Sequence, residues 1–437
     1  MNALLRACGL LRQPPPQLPN ICSTSNRTTV WELCGRRPDD RGTQLPHDPA
    51  LPARPAPELS RLCEEAPVTR VRLWDGSTPW LVTRYEDVRA MLRDPRVSAD
   101  SDRPGYPHVT PGIAARRRRA KTFINQDDPG HAAGRRLLTA DFTVRRVEAL
   151  RPRIQRIVDE LVDDLLAGPQ PADLVEALAL PVPSLVICEL LGVPYADRAF
   201  FHGISKLLVS RDATPEASVA AAEELLDYLG GLVERKAADP GDDLLSRLAV
   251  AQFRTGKLTR REIAAMGQLL LVAGHETTAN MIALGTVALL THPGQLAELR
   301  ASEDPEFVAN AVEELLRYLT IVHSGRRRVA TEDLELGGQL IRAGEGLIAA
   351  TDAANRDETA FPGADSLDLH RAARHHVAFG YGVHQCLGQP LARVELQVVY
   401  GTLYRRVPTL ALAVPAGELR YKHDMLVHGV HELPVTW

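Results

Sequence analysis

One cysteine in this chain is surrounded by the residue types that a thiolate–metal site needs. Residues 379–388 read Phe-Gly-Tyr-Gly-Val-His-Gln-Cys-Leu-Gly, so Gly380, Gly382 and Gly388 crowd around Cys386. Such glycines permit positive φ and let backbone approach a flat ligand closely. An apolar helical spacing follows over about 387–406, through Leu391, Val394, Leu396, Val398 and Leu403. The helix is expected to begin at the cysteine, where its unpaired N–H groups and positive dipole end would stabilise an anionic sulfur. A fixed sulfur among amide donors suits a thiolate-ligated metal. A Gly-rich turn with an incidental cysteine would show the same residues, and the stretch alone leaves both readings open.

A second stretch, Ala273-Gly-His-Glu-Thr-Thr278, lies in the middle of a long apolar pattern. Gly274 is costly in a helix interior unless something must pack against it. The Thr277 hydroxyl can bond back to the carbonyl of Ala273, four residues earlier, and open a polar notch beside the apolar wall of Leu269, Leu270, Leu271 and Val272. An acid followed by an alcohol, Glu276 and Thr277, can pass protons into a dry pocket. A buried Thr pair satisfying its own backbone is the alternative. Glu314 and Arg317 sit three apart, on one helix face, and suit an ion pair. That spacing recurs at Glu58 and Arg61 and at Glu86 and Arg89, so it decides nothing by itself.

The elements that must position these residues are mostly helical. Thr259-Arg-Arg-Glu262 is a capping box. The helix it opens can run to Thr291, where His292-Pro293 stops it, about 45 Å at 1.5 Å per residue. Asp304-Pro305 caps another helix ending near Leu319, and Asp128-Pro129 opens a third. Residues 85–93, 147–166 and 217–237 carry helical apolar periods. Residues 98–122 read as a long loop. Strand signals are few. Residues 68–73 alternate and pair through the Asp75-Gly76 turn with residues 80–83. Near the end, residues 328–330, 334–336 and 347–350 surround a Gly337-Gly338 turn. The expected fold is mainly α with small segregated β-sheets, α+β, in a single large domain over 46–437. Residues 1–45, rich in Pro, Arg and polar residues, are expected to be a poorly ordered N-terminal extension.

The pattern Phe-x-x-Gly-x-x-x-Cys-x-Gly resembles the haem-binding signature of the cytochrome P450 family, which supplies the thiolate-ligated example of haem chemistry. The order of the other stretches agrees over roughly residues 60–437, closest to soluble bacterial members. The resemblance implies haem b (iron protoporphyrin IX) with Cys386 as its iron ligand and with Phe379, Gly380 and Gly388 shaping its bed. It implies that Ala273 lies on the opposite face and that Glu276 and Thr277 handle protons for O–O cleavage. It makes Glu314 and Arg317 scaffold, bracing the Cys loop through the region of Asn355-Arg356. It assigns His131, Arg135, Arg328 and His384 to the two haem propionates, which a planar guanidinium suits. Arg136, Arg326 and Arg327 stay outside that set. One departure is the lead-in Gln126-Asp-Asp-Pro-Gly-His131, where relatives more often carry a second Pro and an acidic residue.

The activity so implied is that of a haem-thiolate monooxygenase inserting one atom of O2 into a hydrophobic small molecule, a secondary metabolite or a xenobiotic. No Gly-x-Gly-x-x-Gly after a strand is present and no reductase domain is fused, so electrons from NAD(P)H would arrive through a ferredoxin reductase and a ferredoxin. Arg136 is a candidate on the ferredoxin-docking face, whereas Arg116-Arg-Arg-Arg119 reads as a solvated charge run. A haem-thiolate peroxygenase, or a non-catalytic haem-based ligand sensor, are the rivals. The acid–alcohol pair counts against both.

Composition bounds the rest. Of 437 residues, 45% are hydrophobic and 24% charged, which excludes a disordered, collagen-like or membrane-embedded chain. A formal net charge of −4 offers no global basic field for nucleic acid. No stretch approaches the roughly 20 apolar residues of a membrane anchor, and the start lacks the pattern of a signal peptide, so a cytoplasmic protein is expected. Six Cys without a Cys-x-x-Cys pair form neither a zinc site nor a disulfide framework.

Overall fold

A computed structural model describes residues 57–116 and 121–437. The expected extension over 1–45 lies outside the described residues. At the centre is the helix Arg260–Leu290, 31 residues and about 46 Å long. Its capping box is formed: Thr259 N–H donates to Glu262 Oε2 at 2.8 Å, and Glu262 N–H donates to Thr259 Oγ1 at 3.2 Å. Burial on nearly every face explains why it lacks a polar stripe. The helices Pro181–Leu191, Pro215–Ala238, Pro305–Leu319 and Gln389–Arg406 pack directly on it. Arg151–Ala167 packs behind the last of these. Together they enclose one large apolar core.

The sheets gather to one side, over a smaller core of their own. The main sheet runs in the order Val68–Arg70, Trp80–Val82, Gly346–Ala349, Arg326–Ala330, Val97–Ser98. The first pair is the expected hairpin, in register Val68 with Val82. Trp80–Val82 then pairs in parallel with Gly346–Ala349, which ties the two ends of the chain together. Leu334–Leu336 and Gln339–Ile341 form a two-stranded ribbon whose turn uses Gly337 and Gly338, both at positive φ. Ala172–Asp173, Pro434–Thr436 and Ala411–Leu412 make a third small sheet. The architecture is mainly helical with segregated sheets, in one domain.

Four local expectations change. The 98–122 segment is not all loop, since Pro111–Arg116 is a short helix. Arg116 is not solvated either. It donates from Nη2 to the Leu208 carbonyl at 2.8 Å, and burial pushes its guanidinium down to about 10. The helix carrying His131 starts at Gly130, and Asp128 caps it by accepting from Ala132 N–H at 3.0 Å. The helix after the cysteine begins at Gln389, three residues beyond Cys386. Pro390 at its first turn fixes the start there.

Candidate active site

The Cys386 loop is closed by the Cys386 N–H, which donates to the Phe379 carbonyl at 2.9 Å. Gly380 and Gly382 both sit at φ 74°, where a side chain would be strained. At Gly382 a Cβ would also meet the Leu92 carbonyl oxygen at 2.6 Å. Gly388 differs. Its φ is −80°, and an added Cβ would have no neighbour within 4 Å. Nothing in the polypeptide demands glycine there, so the bare backbone fits a flat group lying against it.

Two buried clamps hold this loop. Arg317 is 0% exposed and makes two bonds to Glu314, at 2.7 and 2.8 Å. It also donates to the carbonyls of Asn355 (2.7 Å), Ala364 (2.8 Å) and Ser366 (3.2 Å). Asn355 passes the constraint on, since its Oδ1 accepts from Val377 N–H at 2.8 Å, two residues before Phe379. Its Nδ2 donates to Thr320 Oγ1 at 2.8 Å. Thr320 is the one non-glycine at positive φ among the described residues, at 34°, and its bonds hold that strained turn. The second clamp is Glu313, His376 and Arg393. Arg393 donates to both Glu313 oxygens (2.6 and 3.0 Å) and to Gln389 Oε1, and its guanidinium lies 4.7 Å from the Phe379 ring centroid. Burial alone would raise the Glu313 carboxyl, but the bonds from His376 and Arg393 outweigh it and hold it at about 2. These residues are remote in sequence, and no local spacing points to their meeting.

The long helix supplies the facing wall. Ala273 is exposed and Val272 and Thr277 are half-buried, in the middle of a helix that is otherwise mostly covered. Ala273 and Thr277 are i, i+4 and share this open face. The Thr277 hydroxyl donates to the Ala273 carbonyl at 2.7 Å. Gly274 faces away, and its added Cβ would meet Ile187 Cγ1 at 2.9 Å, which is the packing that a mid-helix glycine calls for. Glu276 is buried, with one oxygen 3.7 Å from His275 Nε2 and the other 3.9 Å from Lys422 Nζ. Two residues further on, Thr278 bonds to Glu395 on the Cys helix, so the two walls are joined directly. Burial pushes the Glu395 carboxyl up to about 8.

A cluster of arginine and histidine side chains completes the site. His131 and His384 lie with ring centroids 4.0 Å apart. Burial, then the charge of Arg328, pushes His384 down to about 3. Arg135 donates to the Gln385 carbonyl at 2.7 Å; burial lowers its pKa and Cys386 offsets part of this. Arg328 is buried and donates to the Arg327 carbonyl at 2.7 Å. Arg326, left aside in the sequence reading, belongs here too. Burial lowers its guanidinium, and Cys386 is the neighbour opposing that shift. Arg326 and Arg328 are two apart on one strand, so they share a face, a signal the sequence did contain. In this cluster His131 Nε2 and Arg326 Nε are buried without a hydrogen-bonding partner. The nearby acids already have partners: Asp127 accepts from Ser98 and Ala99, and Asp128 pairs with His131 Nδ1 and accepts from Ala132 N–H, which leaves His131 Nε2 open. Orphaned donors beside a bare glycine loop and a cysteine fit a flat, doubly carboxylated, sulfur-ligated group, as haem is.

Residues 233–407 match the family model "Cytochrome P450". Cytochrome P450 GfsF of Streptomyces halstedii is 54% identical over 412 residues, covering 94% of this chain and 99% of that protein. The chain belongs to the cytochrome P450 family. The crystal structure of GfsF superposes on this P450 with a TM-score of 0.83, covering 88% of this chain and 97% of that one. Pentalenic acid synthase of Streptomyces avermitilis is 50% identical over 90% of this chain and 97% of its own length. The mycinamicin VIII C21 methyl hydroxylase MycCI of Micromonospora griseorubida, solved with mycinamicin VIII bound, is 45% identical with a TM-score of 0.82, covering 88% and 97% of the two chains. Like its relatives, this P450 is a haem monooxygenase whose electrons come from NAD(P)H through redox partners. No helix among the described residues is long and apolar enough to cross a membrane.

Proposed function

We propose that this P450 hydroxylates a hydrophobic secondary metabolite of medium to large size in the cytoplasm, with Cys386 as the thiolate ligand of haem b and a ferredoxin as the electron donor. The observation that carries the ligand assignment is the Cys386 loop itself, clamped from behind, bare at Gly388 and ringed by arginine and histidine side chains with unspent donors. Haem, when bound, supplies the oxygen-activating chemistry. His131, Arg135, Arg328, His384 and, by its position, Arg326 would hold the propionates. Phe379, Gly380 and Gly388 would line the proximal bed, with Ala273 on the distal side.

The chain's own work is to position, dry and protonate. Thr277 keeps its hydroxyl fixed by the Ala273 carbonyl, so its oxygen lone pairs remain to accept a proton and its side chain faces the reaction space. Glu276, one residue earlier, is the acid that refills it. Leu269 and Val272 on the long helix, with Ile321, Val322 and Leu426, are the apolar residues that would exclude water and receive an apolar substrate. The substrate class is supported by the relatives, one a synthase of pentalenic acid and another a mycinamicin VIII hydroxylase. Val383, 61% exposed three residues before Cys386, and the exposed Arg136 support a docking face for an acidic redox protein on the Cys side.

The test is turnover of a panel of hydrophobic metabolites with NAD(P)H, ferredoxin and its reductase, comparing native protein with Glu276→Gln and Thr277→Val. The reading expects hydroxylated product from the native enzyme and far less product per NAD(P)H in both variants. Turnover with hydrogen peroxide but never with ferredoxin would instead make the protein a peroxygenase.

A further inference from the structure

The acid Glu276 is held by a hairpin from the far end of the chain. Tyr421 and Val430 form an antiparallel bridge, and Lys422 N–H donates to the Gly429 carbonyl at 2.8 Å. This hairpin is tied down on two sides. Leu426 N–H donates to the Val209 carbonyl and His428 N–H to the Ile321 carbonyl, both at 2.8 Å. Its inner edge is pressed against the long helix so closely that a Cβ on Gly429 would lie 1.9 Å from Asn280 Oδ1. Asn280 is one turn beyond Glu276. Its Nδ2 donates to the Glu276 carbonyl at 2.7 Å, which leaves Oδ1 facing outward to accept from Lys422 Nζ at 2.9 Å. The ammonium thus anchored stands 3.9 Å from Glu276 Oε2, with both side chains nearly buried, 14% and 12% exposed.

The other carboxylate oxygen faces a different kind of partner. His275 Nδ1 is bonded to the Leu271 carbonyl at 2.6 Å, so it carries the hydrogen and Nε2 is left as the basic nitrogen, 3.7 Å from Glu276 Oε1. Neither contact is short enough to be a hydrogen bond. The carboxyl is attracted to a cation on one side and offered an acceptor on the other, and it is locked to neither. A group that must take up a proton and give it away again needs this looseness.

We propose that Lys422 is the positioning residue of the proton-delivery step: anchored on Asn280, it holds the Glu276 carboxyl in place and in its orientation for the transfer. This rests on the reading of Glu276 as the proton carrier. The charged groups around the ammonium are Glu276 on the long helix, Lys206 on the Arg198–Val209 helix, Asp424 in the hairpin and Glu176 on the 175–179 turn. Burial lowers the Lys422 pKa, and Glu276 is the largest influence holding it up.

The chain has only five lysines, at 121, 206, 236, 257 and 422, so each can be followed in the NMR spectrum of holoenzyme carrying isotope-labelled lysine. The Lys422 signal, assigned by its loss in Lys422→Met, is expected to titrate at lower pH in Glu276→Gln than in the native enzyme, while the other four do not move. In turnover, Lys422→Met is expected to lower product per NAD(P)H by roughly tenfold, a fraction of what a positioned proton-transfer group contributes, and to raise the solvent deuterium isotope effect. Lys422→Arg is expected to restore most of the loss. The thiolate-type band of the reduced carbon monoxide complex shows that each variant is folded and loaded. An unchanged Lys422 titration in Glu276→Gln, or normal coupling and isotope effect in Lys422→Met beside an impaired Glu276→Gln, overturns the proposal and leaves Glu276 in its role. Normal coupling in Glu276→Gln itself overturns both.

Discussion

Replacing Arg317 by Met keeps much of the side-chain volume and removes every bond it makes. In the native protein those bonds are two to Glu314 and three to carbonyls, all away from water. Breaking a buried ion pair by deleting one partner costs about 3–5 kcal/mol, because the other charge stays behind uncompensated. Here Arg371 also reaches Glu314, at 3.2 Å, and part of the orphaned charge keeps a partner. The lower end, about 3 kcal/mol, is therefore expected. With a urea dependence of about 3 kcal/mol per M, the unfolding midpoint should fall by about 1 M. Tryptophan fluorescence in urea reads this directly. Because Arg317 grips Asn355, and Asn355 grips Val377, the same variant should also lose part of its thiolate-type carbon monoxide band well before it unfolds. A midpoint within a few tenths of a molar of native, with an intact band, would refute the view that this clamp holds the Cys loop.

Two further outcomes are expected. Gly274→Ala forces a methyl against Ile187 and should lower stability by about 1–3 kcal/mol despite the better helix propensity of Ala; combining it with Ile187→Ala should cost no more than Ile187→Ala alone, as read by thermal melting. Glu313, held at about 2 against an ordinary 4.5, stabilises the fold when ionised. Its contribution, about 3 kcal/mol, is fully present above pH 4.5 and is lost as pH falls toward 2, so the urea midpoint of the native protein should drop more steeply below about pH 5 than that of Glu313→Gln. Equal slopes would contradict the assignment.

Much of the scaffold was legible because its determinants are local. The capping box at Thr259 and Glu262, the Thr277 back-bond to Ala273 and the Gly337-Gly338 turn each involve residues within four positions, and the structure has all three. Gly274 was legible as a demand for packing, though not that Ile187 makes it. What was hidden depends on long-range placement. Glu313, His376 and Arg393 meet only when the Cys helix docks, and no spacing announces that. Arg116 looked solvated from its charged neighbours, yet the turn of its helix sends it to the Leu208 carbonyl. The start of the Cys helix was placed three residues early because dipole arguments favour the sulfur at its tip, whereas Pro390 and the Gly388 cap fix the first turn later. Lys422, in an unremarkable C-terminal segment, reaches Glu276 across 146 positions of sequence.

The account rests on a sulfur–iron bond at one position, and the absorption spectrum of the dithionite-reduced protein under carbon monoxide tests it most directly. Native protein is expected to show the red-shifted Soret band of a thiolate-ligated haem, and Cys386→Ala none of it, while the single substitutions Cys63→Ala and Cys188→Ala, at two buried thiols that burial pushes up to about 12, leave it intact. A thiolate-type band that survives Cys386→Ala, or a native protein whose reduced carbon monoxide spectrum is that of nitrogen-ligated iron, would contradict the assignment.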